Sequence, residues 1–233
     1  RINVQFAKVL SENEVKISRY NLYWSRKGRI VLIGDSIRNG YQSYVQQGLQ
    51  LHEVVNPSGN HRHSTFIREN LKEFAFKYEP DVIHINTGLH ERGSCGDLEP
   101  YINNLRWIFS KLRKETNAKI IWASTTPEPG NRCIPMLNEA AKEVVESFED
   151  IEFNDLGMFV SNLNQRRNVY QKDKLHLTCY PQMGNEVAKK ILDVFPEKIS
   201  RITSSKARQM DLALRVGQNT KIPKEATHFS VFA

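Results

Sequence analysis

Ser36 has the setting that most favours chemistry, because it closes an apolar run with the residues Gly-Asp-Ser. The start of that run, residues 31–33, is short and rich in β-branched side chains, which is typical of a buried strand in a parallel sheet. The residues that follow, up to Leu51, have helical spacing. Ser36 is therefore predicted at a strand-to-helix turn, where the free N–H groups of the helix amino terminus can stabilise developing negative charge. The alternative is purely structural, since Asp and Ser are also favoured helix caps.

Three further stretches carry the other groups that a serine needs for acyl transfer. The chemistry requires an imidazole to take the serine proton, a carboxylate to orient the imidazole, and N–H donors for the oxyanion. His176 follows Asp173 by three residues, a spacing that suits a bent loop in which the carboxylate reaches Nδ1 and leaves Nε2 facing the serine. Gly59 and residues 88–91 each follow a predicted strand, and they offer the remaining groups.

The elements that must position these groups alternate regularly along the chain. The alternating pattern starts at Arg29, and strands are predicted at residues 31–33, 53–56, 81–86, 119–124 and 151–155. Helices are predicted at residues 36–51, 64–75, 98–116, 135–148 and 181–195, with a helical or irregular segment at 156–167. Such alternation implies a parallel sheet with helices on both faces. We predict an α/β fold, a three-layer α/β/α sandwich around a flavodoxin-like sheet of five strands, with the four stretches at its carboxyl-end edge.

These stretches together resemble the sequence blocks of the SGNH, or GDSL-type, hydrolases. Gly-Asp-Ser-Ile at 34–37 matches the nucleophile block, and Asn-Pro-Ser-Gly-Asn at 56–60 looks like the block whose glycine amide helps to bind the oxyanion. Asp-Lys-Leu-His at 173–176 matches the block that carries acid and base together. The third block departs from the family's Gly-x-Asn-Asp, because the chain has Gly-Leu-His-Glu at 88–91. The resemblance covers about residues 29–195.

The resemblance implies a role for each matched residue. Ser36 would be the nucleophile, His176 its base and Asp173 the group that orients His176, while the amides of Ser36 and Gly59 would receive the oxyanion. His90 stands where the family has its oxyanion Asn, so either His90 takes that role or the backbone amides act alone. Further candidates for contact with the substrate are the polar residues Asp35, Asn60, Arg62, His63, Asn86 and Glu91.

The function implied is that of a serine esterase acting through an acyl-enzyme, most plausibly on an O-acetyl group of a carbohydrate. A carbohydrate O-acetyltransferase is the alternative, because it would use the same three residues with a sugar hydroxyl in place of water. A second alternative is an inactive glycan- or nucleic-acid-binding module, favoured by the altered third block and the basic tail. The chain lacks a basic motif interleaved with aromatic residues, which argues against nucleic acid as a partner.

Composition bounds the organisation of the chain. Its 233 residues, 39% of them hydrophobic, suit one α/β domain with appendages. We predict an N-terminal extension at 1–28 that could form a β-hairpin, a hydrolase-like domain at 29–196 and a basic tail at 197–233. Residues 199–233 hold six Lys or Arg against two Asp or Glu, so +4 of the net charge of +7 lies there. The excess of positive charge suits an acidic polymer as partner.

The cysteines and histidines give weaker indications. Cys95, Cys133 and Cys179 have no metal-site spacing, and free or buried thiols are favoured over a disulfide between two of them. That preference, with no apolar run long enough for a signal peptide or membrane span, slightly favours a soluble cytoplasmic protein over a secreted one. The His-x-His pair His61 and His63 is interpreted as solvated loop residues, and we expect neither a metal nor a cofactor.

Overall fold

The computed structural model describes residues 27–195, so the predicted extension at 1–28 and tail at 197–233 lie outside the described residues apart from Lys27 and Gly28. Five strands form one sheet, and every pairing is parallel. They are β1 (Arg29–Ile33), β2 (Glu53–Val55), β3 (Val82–Asn86), β4 (Lys119–Ala123) and β5 (Ile151–Asn154). Their order across the sheet is β2-β1-β3-β4-β5. The predicted five-stranded flavodoxin-like sheet is confirmed.

Seven helices cover the sheet in the described part of the chain. They are α1 (Ser36–Gly48), α2 (Ser64–Glu69), α3 (Leu71–Phe74), α4 (Glu99–Glu115), α5 (Cys133–Glu146), α6 (Leu156–Arg166) and α7 (Tyr180–Val194). Short 3-10 turns lie at Phe76–Tyr78 and Leu89–Glu91. The segment expected to be helical or irregular is thus the helix α6. None of the helices described here is long and apolar enough to cross a membrane.

Two apolar layers enclose the sheet, because successive side chains of a strand point to opposite faces. Ile30 and Leu32 of β1 belong to the core beneath α1, α6 and α7, whereas Val31 and Ile33 belong to the core beneath α4 and α5. β3 is buried along its whole length. The chain is a three-layer α/β/α sandwich, as its alternating pattern indicates.

The order of the strands fixes where a site can form. The chain leaves β1 toward β2 on one side and leaves the neighbouring β3 toward β4 on the other, so the two connections diverge between β1 and β3. In open α/β sheets, ligands bind in the crevice that such a divergence opens at the carboxyl ends of the strands. The segments after β1, β2 and β3 therefore border one crevice.

The cysteine prediction was wrong for two of the three residues. Cys95, in the loop before α4, forms a disulfide with Cys133, the first residue of α5, and their Cα atoms are 5.1 Å apart. Cys179 is a buried free thiol. The slight preference for the cytoplasm depended on free thiols, so it loses its basis with this disulfide.

Candidate active site

Ser36 is the first residue of α1, directly after β1, as predicted. Asp35 caps the helix, and its Oδ1 accepts a hydrogen bond of 2.9 Å from the N–H of Ile37. A Cβ at Gly34 would lie 2.7 Å from Cβ of Arg38 and 3.1 Å from the carbonyl oxygen of Asn86. The strand therefore reaches the helix through a turn that only glycine fits. Capping and exposure of Ser36 occur in the same turn and do not compete.

His176 lies against Ser36 although 140 residues separate them. Nε2 of His176 is 3.0 Å from Oγ of Ser36, and Nδ1 is 2.6 Å from Oδ2 of Asp173. A carboxylate only accepts hydrogen bonds, so Nδ1 carries the hydrogen and Nε2 is left to accept from the serine hydroxyl. The structure thus brings together the three residues that the sequence placed in one reaction.

The loop that carries His176 is shaped by its own backbone. Oδ1 of Asp173 accepts hydrogen bonds from the N–H of Leu175, at 3.0 Å, and of His176, at 2.9 Å. Lys174 bends the chain between them with a φ of 58°. The hydrogen bond from His176, followed by those from the two N–H groups, lowers the pKa of Asp173 to about 2. Asp173 is therefore ionised at neutral pH and holds the imidazole in one orientation.

Gly59 lies in the loop after β2, with a φ of 93° that favours glycine. The residue is exposed, and a Cβ built on it would meet no atom within 4 Å. Its carbonyl oxygen, in contrast, accepts a hydrogen bond of 2.8 Å from Nη2 of Arg38. One side of this loop thus faces open space while the other is held by the protein.

His61 corrects the interpretation of the His-x-His pair, since it is fully buried and not a solvated loop residue. Its Nδ1 accepts a hydrogen bond of 3.1 Å from the N–H of Gly34, and its ring stacks on Phe74 at 4.0 Å. Burial, followed by the nearby charge of Arg38, lowers the pKa of His61 to about 4. The ring is therefore neutral at neutral pH and serves as a link between the loop and the end of β1.

Arg38 is the residue of this site that the sequence analysis missed. It is 1% exposed, and its Nη2 lies within hydrogen-bond distance of the carbonyl oxygens of Gly34 (3.4 Å), Pro57 (3.3 Å) and Gly59 (2.8 Å). The available signal was its position, because Arg38 falls among the inward-facing positions of α1 between Ile37 and Tyr41. A charged residue there needs buried partners.

Three residues predicted to contact the substrate instead form hydrogen bonds to the backbone of the protein itself. Asp35 is fully buried as the helix cap, and burial, above all, raises its pKa to about 6. Asn86 is 2% exposed and donates to the carbonyl oxygens of Ala123, at 3.2 Å, and Ser124, at 3.3 Å. Glu91 accepts a 2.5 Å hydrogen bond from the N–H of Ser64, and burial raises its pKa. Each of these side chains supports a backbone turn beside the site. The prediction that they contact the substrate is therefore corrected.

The other predicted contacts lie on accessible parts of the same loops. Arg62 and His63 are exposed, and Asn60 is half-buried with its Oδ1 accepting from the N–H of Arg62 at 2.9 Å. His63 also caps α2 through Nδ1. His90 is exposed, and partial burial followed by the charge of Arg92 lowers its pKa. Among residues 27–195, no group of three or more His, Cys, Asp or Glu side chains is arranged to hold a metal ion.

Comparison with known proteins finds similar structures but no match to a family model or a curated sequence. No protein-family model matches the chain, and no curated protein matches it. Axe2, an acetylxylan esterase from Geobacillus stearothermophilus, is similar with a TM-score of 0.61 and 18% identity, over 75% of this chain and 97% of that one. A family 3 carbohydrate esterase from Clostridium thermocellum gives 0.60 and 18%, over 75% and 100%. The structure of TesA gives 0.59 and 20%, over 70% and 97%.

Proposed function

We propose that this chain, which has the fold of the SGNH-type esterases, is itself a serine esterase. The observation that carries the proposal is the chain of contacts from Oγ of Ser36 to Nε2 of His176, at 3.0 Å, and from Nδ1 of His176 to Asp173, at 2.6 Å. A hydroxyl, an imidazole and a carboxylate in this order are the parts of a base-activated nucleophile.

In the first half of the reaction, Oγ of Ser36 attacks the ester carbonyl carbon while Nε2 of His176 takes the hydroxyl proton. The resulting imidazolium is stabilised by Asp173, which keeps its own negative charge. When the tetrahedral intermediate collapses, the carbon–oxygen bond to the alcohol breaks and His176 returns the proton to the departing oxygen. The products are the free alcohol and an acylated Ser36.

In the second half, water attacks the acyl-enzyme and gives one proton to His176. The bond to Oγ then breaks, Ser36 recovers its proton from His176, and the free acid leaves. A sugar hydroxyl in place of water would make the same site an O-acetyltransferase. The two outcomes differ in the acceptor alone, so they are separated by following where the acyl group goes.

The oxyanion of both intermediates needs donors that are already in place. We assign this role to the N–H of Ser36, at the start of α1, and to the N–H of Gly59, whose open side faces away from the protein. His90 is the third donor in the proposal, since its lowered pKa keeps the ring neutral with one N–H to give.

The substrate proposed is an O-acetyl group on a carbohydrate. The support comes from the similar structures, which include an acetylxylan esterase and a carbohydrate esterase. Two further structures of Axe2 are described as catalytic mutants in which a serine or a histidine is replaced by alanine. Arg62 and His63 are exposed three and four residues after Gly59, and we assign contact with the sugar to them.

The direct test is acetate release from 4-nitrophenyl acetate and from acetylated xylan. We expect turnover by the wild type, none above background with Ser36→Ala, and full activity with Ser43→Ala, an exposed serine of the same helix. Addition of an acetyl donor and unacetylated glycan, with mass measurement of the glycan, detects transfer. An inactive wild type, or a Ser36→Ala variant that keeps its activity, contradicts the proposal.

A further inference from the structure

The loop from Pro57 to His61 is held by two buried side chains that take no part in the reaction themselves. Arg38 reaches it from α1, with its Nη2 2.8 Å from the carbonyl oxygen of Gly59 and 3.3 Å from that of Pro57. His61 lies at the end of the loop, and its Nε2 and Nδ1 are 3.3 Å and 3.5 Å from the same Nη2 of Arg38. Arg38 is 1% exposed and His61 is fully buried.

The same two residues tie the loop to the turn that carries the nucleophile. The backbone N–H of His61 donates to the carbonyl oxygen of Gly34 at 3.1 Å, and Nδ1 of His61 accepts from the N–H of Gly34 at 3.1 Å. Nη2 of Arg38 is 3.4 Å from that same carbonyl oxygen. Gly34 lies two residues before Ser36, so a shift of the loop cannot occur without breaking bonds at the end of β1.

The direction of these bonds determines where the N–H groups of the loop point. In a trans peptide the carbonyl and the following N–H point in opposite directions, and the described chain has no cis peptide. The carbonyls of Pro57 and Gly59 are both turned inward to Arg38. The N–H groups of Ser58 and Asn60, which follow these carbonyls on either side of Gly59, are therefore turned away from the buried side, toward the open side of the loop.

We infer that Arg38 and His61 are positioning residues, which hold the loop around Gly59 so that its N–H groups face the oxyanion formed on Ser36. The inference rests on the proposed function, in which Gly59 is an oxyanion donor. A buried arginine needs polar partners, and three of those of Arg38 are backbone carbonyls of this loop and of Gly34. The contribution of Arg38 lies in the orientation of the loop.

Substitution of Arg38 should consequently lower kcat and leave KM nearly unchanged. The oxyanion exists only in the intermediates and transition states, and loss of one such donor costs about 10²-fold to 10³-fold in kcat. We expect Arg38→Met to lower kcat by about 10²-fold. Arg38→Lys keeps the charge and should recover part of the loss, although a single ammonium cannot reach all three carbonyls.

The matched control is Arg106→Met, which makes the same change at an exposed arginine of α4. It should leave both kinetic constants at their wild-type values. Thermal unfolding of each variant shows whether it is folded at the assay temperature. A folded Arg38→Met variant with unchanged kcat, or with a loss confined to KM, overturns the inference while the esterase proposal stands.

Hydrogen exchange tests the same inference without reference to activity. The amide of His61, which donates to the carbonyl oxygen of Gly34, should exchange about 10-fold faster in Arg38→Met than in the wild type, while the amides of residues 173–178 stay unchanged. Equal exchange in both proteins overturns the positioning role. Faster exchange in a chain whose wild type hydrolyses no ester would support the role of Arg38 in the loop and contradict the proposed function alone.

Discussion

The two halves of the candidate site are built in opposite ways. On the side of the base, Asp173 and His176 are 50% and 33% exposed, and their loop is shaped mainly by hydrogen bonds among its own residues. On the side of the oxyanion, Arg38 and His61 are buried and connect two segments that are distant in sequence, residues 34–38 and 57–61. In the proposed reaction, proton transfer thus depends on a short local motif, whereas oxyanion binding depends on the packed fold.

This difference follows from what each half must do. The imidazole needs one orientation, which a carboxylate three residues away can supply. Two of the three proposed oxyanion donors, the N–H groups of Ser36 and Gly59, belong to the backbone, so their direction can be set only by fixing the peptide planes that carry them. The comparison predicts that damage to the first half removes chemistry and leaves the fold intact, while damage to the second affects both.

The largest effect is expected on the exposed side. His176→Ala should lower kcat by about 10⁴-fold or more, because Ser36 then has no base. Its thermal midpoint should stay close to that of the wild type, since the side chain is one-third exposed. Lys172→Ala, an exposed neighbour in the same loop, is the control for local disturbance and should be fully active. Steady-state kinetics and calorimetry on the same samples would check both expectations.

A second test concerns the disulfide that joins the loop after β3 to α5. Cross-linking residues 38 apart restricts the unfolded chain, and its loss should lower the free energy of unfolding by about 4 kcal/mol by loop-closure entropy. Cys95→Ser with Cys133→Ser removes the cross-link without adding bulk. Denaturant unfolding measures the loss in the free energy of unfolding. The control is Ser161→Ala, at a half-buried serine of α6, which shows the effect of a small change elsewhere in the fold. An unchanged midpoint would show that the cross-link contributes nothing.

A third test uses acid pH to distinguish the oxyanion side of the site from the base side. The pKa of His61 is about 4 in the fold, below its ordinary 6.5, so the folded state resists protonation. Its contribution to stability is complete above pH 6.5 and is lost as the pH falls to 4, a change of about 3 kcal/mol. The difference in unfolding free energy between wild type and His61→Gln should shrink by that amount over this range. Asp173, with a pKa of about 2, stays ionised throughout. A difference that does not vary with pH would contradict the buried neutral state of His61.

The smallest effect is expected at His90. His90→Ala should lower kcat by about 10-fold, less than other oxyanion donors because the ring is exposed and makes no rigid contact that would hold it in place. His90→Asn supplies an amide N–H at the same position and should restore most of the activity. Equal activity of all three proteins would assign the oxyanion to the backbone amides alone.

The contrast also explains which parts of the molecule could be predicted. The sheet was predictable because each strand is a short apolar run between helical segments, and the Asp173–His176 pair because three residues suffice to define it. Arg38 and His61 were missed or misjudged because their roles arise from Gly34 and Pro57, which meet only in the folded chain. Asp35 and Asn86 were of the right chemical type for a substrate contact, but their side chains are used to hold turns.

The disulfide was misjudged for a related reason. Composition counts cysteines and their spacing, yet the pairing of Cys95 with Cys133 depends on two loops meeting beyond the ends of β3 and β4. The ion pair of Arg92 with Glu128, at 3.1 Å, joins the same two loops. Neither contact has a local signature in the sequence.

The most direct test of the central claim is covalent labelling of the nucleophile. A fluorophosphonate ester reacts with a serine that has been activated by a base, and mass spectrometry of the digested protein locates the adduct. We predict one adduct, on Ser36, in the wild type, and labelling at least 10³-fold slower in His176→Ala. A wild type that carries no adduct on Ser36, or a His176→Ala variant labelled at the same rate, would contradict the account.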